Sequence, residues 1–229
     1  TLLVMTAART HHTATKLEDG RVLIAGGESA GAATATIEIF DPLTNSLMAL
    51  PAGLPSGRTR HAAATLPDGR VLVAGGSDGA ATLTTTAVIN PVTGTVMAGP
   101  AMSVARANFT ATDLLNGDVL LVGGTDGTND LASVERYVTA TGTIQAASSL
   151  QGARQGHVAI RLPGNNGVLV AGGTTGGQAL HSAEQFLPSS AQFVLTEMTG
   201  AGHVHPVASA TATAGRAVLA GGDGTSVAE

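Results

Sequence analysis

The phrase "DGRVLIAGG" runs from Asp19 to Gly27, and "DGRVLVAGG" runs from Asp68 to Gly76. Near-copies follow as "NGDVLLVGG", "NGVLVAGG" and "GRAVLAGG". The glycine doublets that close them are Gly26-Gly27, Gly75-Gly76, Gly123-Gly124, Gly172-Gly173 and Gly221-Gly222, at spacings of 49, 48, 49 and 49 residues. A period of this size marks a stacked or circular repeat, because one such unit cannot bury its apolar face alone. The units fall roughly at 6–53, 54–102, 103–150, 151–199 and 200–229, so four are complete and the fifth is partial.

Within each unit the features keep one order. An arginine comes first, at Arg9, Arg58, Arg106 and Arg154, and three residues later stand His12, His61, Phe109 and His157. Short segments with small residues follow, over His12–Leu17, His61–Leu66, Phe109–Leu114 and His157–Leu162. A "DG" or "NG" pair then precedes the "VLIAGG" segment, which suits a two-residue hairpin with positive φ. After a variable loop come "IEIFDP", "TAVINP", "VERYVT" and "AEQFLP", and a last apolar stretch holds Leu47, Val96, Ile144 or Phe193. These segments are short, rich in β-branched residues and bounded by turn residues, which predicts four strands per unit and an all-β chain. The paired glycines permit positive φ and close approach by a neighbouring unit.

Composition narrows the function classes. Aromatic residues are 2% of the 229, with no Trp and one Tyr, so the core must be aliphatic. Charged residues are 12%, about half the usual ~25%. The net charge is −5 and the 11 basic residues are scattered, which argues against a nucleic-acid partner. With no cysteine there is no disulfide, no thiolate nucleophile and no Cys-ligated metal. The apolar runs have strand length, far short of the ~20 residues of a membrane helix, so membrane insertion is not expected. No targeting signal opens the sequence, so the expectation is a cytoplasmic protein or one whose start has been removed.

Arg-x-x-His, then "DGRVLIAGG", then the "IEIFDP" segment, with the glycine-doublet segment recurring five times in register, resembles the kelch repeat. The bacterial branch similar to the galactose-oxidase propeller is the nearest in pattern, and the resemblance spans residues 1–229. It implies four-stranded antiparallel blades around a central channel, with the first strands lining that channel. It also implies further blades from sequence beyond this chain, or self-assembly to complete the ring. Kelch repeats often carry Trp in the last strand, where this chain has Leu47, Val96, Ile144 and Phe193. Galactose-oxidase chemistry needs a Cys-linked Tyr, a second Tyr and His ligands for copper. With no Cys and only Tyr137, these residues do not support it, and no cofactor is expected.

Candidate sites fall in three groups. The recurrent Arg-x-x-His residues and the glycine doublets report the repeat, and the same holds for Glu38, Glu135 and Glu184; the histidines and arginines are expected to pin neighbouring blades through backbone carbonyls. His203 and His205 would share one face of an extended segment and offer a weak zinc or copper site. The loops after the doublets carry Asp78, Asp126, Asn129, Asp130, Gln178, His181 and Asp223. Asp126 and Asp130 offer oxygen ligands for calcium, although Asp-Gly is also ordinary turn chemistry. Loops on a repeated scaffold are where binding residues collect. No nucleophile elbow, phosphate loop or metalloprotease motif is present.

Two functions follow as expectations. One is a non-catalytic binding or structural module of an exported bacterial protein, at the cell surface or secreted, that recognises a glycan or a protein through the blade-connecting loops. The other is the propeller scaffold of a carbohydrate-active enzyme whose catalytic residues lie outside this chain.

Overall fold

Each complete repeat folds into one four-stranded antiparallel sheet. The structure, a computed structural model, describes residues 4–163, 166–196, 203–211 and 217–221, and its elements there are all strands. Sheet one contains β1 (Thr13–Lys16) and β2 (Val22–Ala25), then a small hairpin of β3 (Glu28–Ser29) and β4 (Ala32–Ala33), then β5 (Ile37–Asp41) and β6 (Ser46–Ala49). Its strand order is β1-β2-β5-β6, with the small hairpin outside the sheet. Sheet two is β7 (Ala62–Thr65), β8 (Val71–Ala74), β9 (Thr86–Asn90) and β10 (Thr95–Ala98) in sequential order. Sheet three is β11 (Thr110–Asp113), β12 (Val119–Val122), β13 (Val134–Val138) and β14 (Thr143–Ala147), also sequential. Sheet four takes β15 (Val158–Arg161), β16 (Val168–Ala171), β19 (Ala183–Leu187) and β20 (Gln192–Thr196), with β17 (Thr174–Thr175) and β18 (Gln178–Ala179) as a second small hairpin. A last pair, β21 (Val207–Ala210) and β22 (Ala217–Ala220), comes from the partial repeat.

The second strands are the apolar centre of each sheet. β8 and β12 are buried at every position, as expected for Val/Leu runs covered on both faces. The fourth strands are largely exposed, with Met48 on β6 and Met97 on β10 open to solvent.

The turn between the first two strands differs from the two-residue hairpin that the sequence suggests. Leu17 N–H donates to Arg21 O at 2.8 Å and Gly20 N–H to Leu17 O at 3.1 Å, which encloses Glu18, Asp19 and Gly20. Only Gly20 has positive φ, at 88°. This is a type I turn closed by a left-handed residue, which matches strand twist with one glycine instead of two left-handed positions. Asp19 completes it by accepting from Arg21 N at 3.0 Å and Arg21 Nε at 2.8 Å. Sheets two and three repeat the turn, while in sheet four Leu162 N–H reaches Gly167 O across one more residue.

The chain divides into two compact units, Thr1–Ala107 with Thr141–Thr143, and Asn108–Ala140 with Ile144–Glu229. In the first, Leu23 and Ile37 of sheet one join Val71, Val73 and Ile89 of sheet two in one core. In the second, Leu120, Val122 and Val134 join Val168, Val170 and Phe186. Phe193 of β20 adds its ring to Phe186 at a centroid separation of 5.2 Å. Within the units the first strands come together, β1 with β7, and β15 with both β11 and β21. Their Ala and Thr residues leave room for that approach.

Candidate functional site

The glycine doublets are the joints between successive repeats. Gly27 N–H donates to Arg58 O at 2.8 Å, Gly76 to Arg106 O at 2.9 Å, Gly124 to Arg154 O at 2.8 Å and Gly173 to His203 O at 2.7 Å. Gly26 and Gly27 have φ of 60° and 102°. A Cβ on Gly26 would lie 2.7 Å from both Arg58 O and His61 Cε1, and one on Gly27 2.7 Å from Thr10 O. Both left-handed backbone and lack of space therefore require glycine. The described residues end the fifth doublet at Gly221; Gly222 and Asp223 lie outside them.

The arginines hold their own sheets together, and it is their main-chain carbonyls that reach the previous repeat. Arg9 Nη1 donates to Gly26 O at 3.1 Å and Thr36 O at 3.3 Å, and Arg9 Nη2 meets Glu38 Oε2 at 2.6 Å. Arg154 repeats the pattern with Gly172 O, Ser182 O and Glu184. Arg58 bonds to Gly75 O and Thr85 O in the same way. Arg106 and Glu135 are buried at the matching places. The histidines cross between sheets by their rings: His61 Nε2 sits 2.9 Å from Thr13 Oγ1, and His157 Nε2 3.0 Å from Thr110 Oγ1. Burial, reinforced by the Arg58 charge, pushes the His61 pKa down to about 3, and burial with the Arg154 charge does the same for His157. Both rings are neutral spacers at ordinary pH. Phe109 fills the corresponding place as a buried ring, and His12 is half-buried.

His203 and His205 do not share a face. Residues 203–205 are not a strand, and His205 has φ of 50°. His203 stands 49 residues after Arg154 and takes over the arginine's place. It is fully buried, with Nδ1 2.7 Å from Gly221 O. His205 is exposed. A Cβ on Gly156 would lie 2.7 Å from His205 Nε2, so this imidazole occupies the space over Gly156.

His11, Arg60, Asn108, Gly156 and His205 occupy one repeated position, with φ between 50° and 60°. Arg60 N–H donates to His11 O at 3.1 Å, Gly156 to Asn108 O at 2.9 Å and His205 to Gly156 O at 3.0 Å. Within each unit the loops after the doublets lie beside these positions, attached by main-chain bridges Thr10–Glu28, Thr59–Ser77 and Gln155–Thr174. Each unit thus presents its loops and the entries to its first strands as one polar surface.

The loop acids have distinct tasks. Asp78 Oδ1 accepts from Ala80 N and Ala81 N, both at 2.8 Å, and Asp126 Oδ1 from Thr128 N and Asn129 N, both at 2.7 Å. These main-chain donors hold both carboxyls below the usual carboxylate range. Their oxygens close turns. Asn129 O also accepts from Thr125 Oγ1 at 3.0 Å. Asp130 does something else. Its Oδ1 accepts from Gln155 Nε2 at 2.6 Å and its Oδ2 from Gly176 N at 2.7 Å, while Gln155 Oε1 accepts from Asn108 Nδ2 at 3.0 Å. Asn108, Gln155 and Asp130 form a braced polar row from the strand entry of sheet three to the loop of sheet four. Gln178 and His181 are exposed on that loop and its flank.

Among the described residues, no group of three or more His, Asp or Glu side chains is arranged to hold a metal ion. Asp126 and Asp130 turn to different main-chain donors, and His203 and His205 diverge. Gln155 is the participant that sequence reasoning passed over; its signal was an amide where the other repeats have Thr10, Thr59, Ala107 and Val204. No protein-family model matches the chain, and no curated protein matches it in sequence.

Proposed function

We propose that this chain is a kelch-type β-propeller module that binds a polar partner, a glycan or a protein, through the loops following its glycine doublets. The observation that supports it is a contrast within each repeat. The strand ladders and the glycine joints use the same main-chain hydrogen bonds each time, whereas the loop tips do not. Loops one and four are closed as the hairpins β3–β4 and β17–β18, and loops two and three are closed by Asp78 and Asp126. All are held in shape, and a surface held in shape loses little entropy on binding. Exposed His11, Arg60, Asp78 and Gln178, with half-buried Asp126, give it polarity. An exported bacterial protein is the setting we propose.

The test replaces the tips at residues 78–81 and 126–129 with Gly-Ser turns in the full chain. Affinity electrophoresis through gels of neutral and uronate polysaccharides should show retardation of the parent and loss of it in the variant. Equal retardation of both would place recognition elsewhere.

A further inference from the structure

A cavity of about 430 Å³ opens between sheets three and four, on the side of the short strand-joining turns. It is lined by Leu114, Leu115 and Asn116 of the β11–β12 turn, Arg136 of β13, and Phe186 and Pro188 of and after β19. That volume lies within the range of small-molecule sites, roughly 300–1,000 Å³.

Arg136 breaks the repeat here. Strand register places Ile39 opposite Leu23, Val88 opposite Leu72, Arg136 opposite Leu120 and Gln185 opposite Leu169. Ile39 and Val88 are 2% and 5% exposed. In sheet three the same position carries a cation whose side chain is 38% exposed. Its alternation with Val134 sets it on the face that meets sheet four. Where sheet one closes its side with a buried isoleucine, this interface ends in the cavity.

The guanidinium has spare capacity. Its protein partner is Asp118 Oδ2, at 3.7 Å, beyond hydrogen-bond range. Asp118 is already served by Asn116 Nδ2 at 2.9 Å and Thr139 N at 3.0 Å. Arg136 therefore keeps N–H donors for an outside acceptor, beside walls of leucine, proline and phenylalanine. Leu115, 70% exposed at the rim, extends the apolar wall outward.

We infer that this cavity binds a small amphipathic carboxylate, its apolar body against Leu114, Leu115 and Phe186 and its carboxylate on Arg136. The planar guanidinium suits a two-oxygen anion. This site is separate from the loop surface and does not depend on it.

The probe is 4-phenylbutyrate, with 4-phenylbutyramide as its uncharged counterpart, titrated to millimolar concentration into the full isotope-labelled chain. Amide shifts are expected at Leu114, Leu115, Asn116, Arg136 and Phe186, with the amide binding about tenfold more weakly. Arg136→Ile and Arg136→Gln place residues that other sheets already carry at this register, so both variants should fold. Each should lose the preference for the carboxylate, and Arg136→Lys should keep part of it. No shifts at these residues, equal binding of amide and acid, or a preference unchanged in both uncharged variants would overturn the assignment.

Discussion

The Arg9 guanidinium meets the Glu38 carboxylate at 2.6 Å with both side chains shut away from solvent. Arg154 and Glu184 repeat the pair at 3.0 Å. Sheet two has the arginine without the acid, since register puts Ala87 where Glu38 stands. Arg58 is instead held by four neutral oxygens: Gly75 O, Thr85 O, Thr85 Oγ1 and Ser56 Oγ. A second difference accompanies the first. Thr6 N–H and Gln151 N–H, each three residues before its arginine, donate to Glu38 and Glu184. The matching residue in sheet two is Pro55, which has no N–H.

Removing an acid from a complete pair should therefore be far worse than supplying the absent one. Glu184→Ala strands a buried cation and two amide donors, and is expected to cost about 3–5 kcal/mol. Ala87→Glu should change stability by less than about 1 kcal/mol, because desolvation of the new carboxylate offsets its attraction to Arg58. Urea unfolding monitored by circular dichroism measures both. A large gain from Ala87→Glu would show that Arg58 lacks a counter-ion more than it lacks solvating oxygens.

Glycines divide by what surrounds them. A Cβ on Gly76 would lie 2.6 Å from Thr59 O and 2.8 Å from His61 Cβ. Gly76→Ala should cost about 2–4 kcal/mol through backbone strain and overpacking. Gly20 also has positive φ, but nothing lies within 4 Å of its Cβ direction. Gly20→Asn should cost under about 1 kcal/mol, since Asn visits the left-handed region readily. Thermal melts of the two variants should differ clearly; matching midpoints would contradict the crowding at the joint.

Acid should loosen the joints before it protonates their histidines. His61 and His157 have ordinary values of 6.5, lowered to about 3 in the fold. Between those limits the unfolded chain binds protons that the native chain refuses. Their contribution is thus fully present above 6.5 and falls as pH drops, by about 1.4 kcal/mol per pH unit per histidine, until it levels near 3. Urea midpoints at successive pH values give the slope, and His61→Gln with His157→Gln should flatten it. An unchanged slope in the double variant would assign the acid lability to other groups.

Asp130 braces two loops without joining a core. Asp130→Ala should free Gln155 and Gly176 at about 1–2 kcal/mol. Faster amide exchange at Gly176, with little change at Val122 or Val170, would show the effect to be local.

The strands were legible because their chemistry is local. Val22 to Ala25 and Val71 to Ala74 announce themselves by β-branching and flanking turns. The first strands came out one residue short at each end, since His12 and Leu17 serve the joint and the turn. The joints were half legible: doubled glycines imply crowding, but which carbonyl crowds Gly26 depends on a residue one repeat away, Arg58. The same distance hid the role of His203. Without its bond to Gly221, two histidines spaced by one residue look like a ligand pair. Gln155 and Arg136 were illegible for another reason. Each is ordinary alone, and stands out only when register shows what its counterparts in other sheets are.

The glycine bonds that seal the joints all point one way. Gly27, Gly76, Gly124 and Gly173 each reach forward to an acceptor that the chain supplies 30 or 31 residues later. A growing polypeptide can pair the strands of a repeat as they emerge, but its glycine doublet stays unsealed until the next repeat has begun to follow. Assembly on the ribosome would then advance as a zipper that always closes one tooth behind its own leading end. A pause in translation between Ala98 and Arg106 would leave sheet two paired yet unlatched.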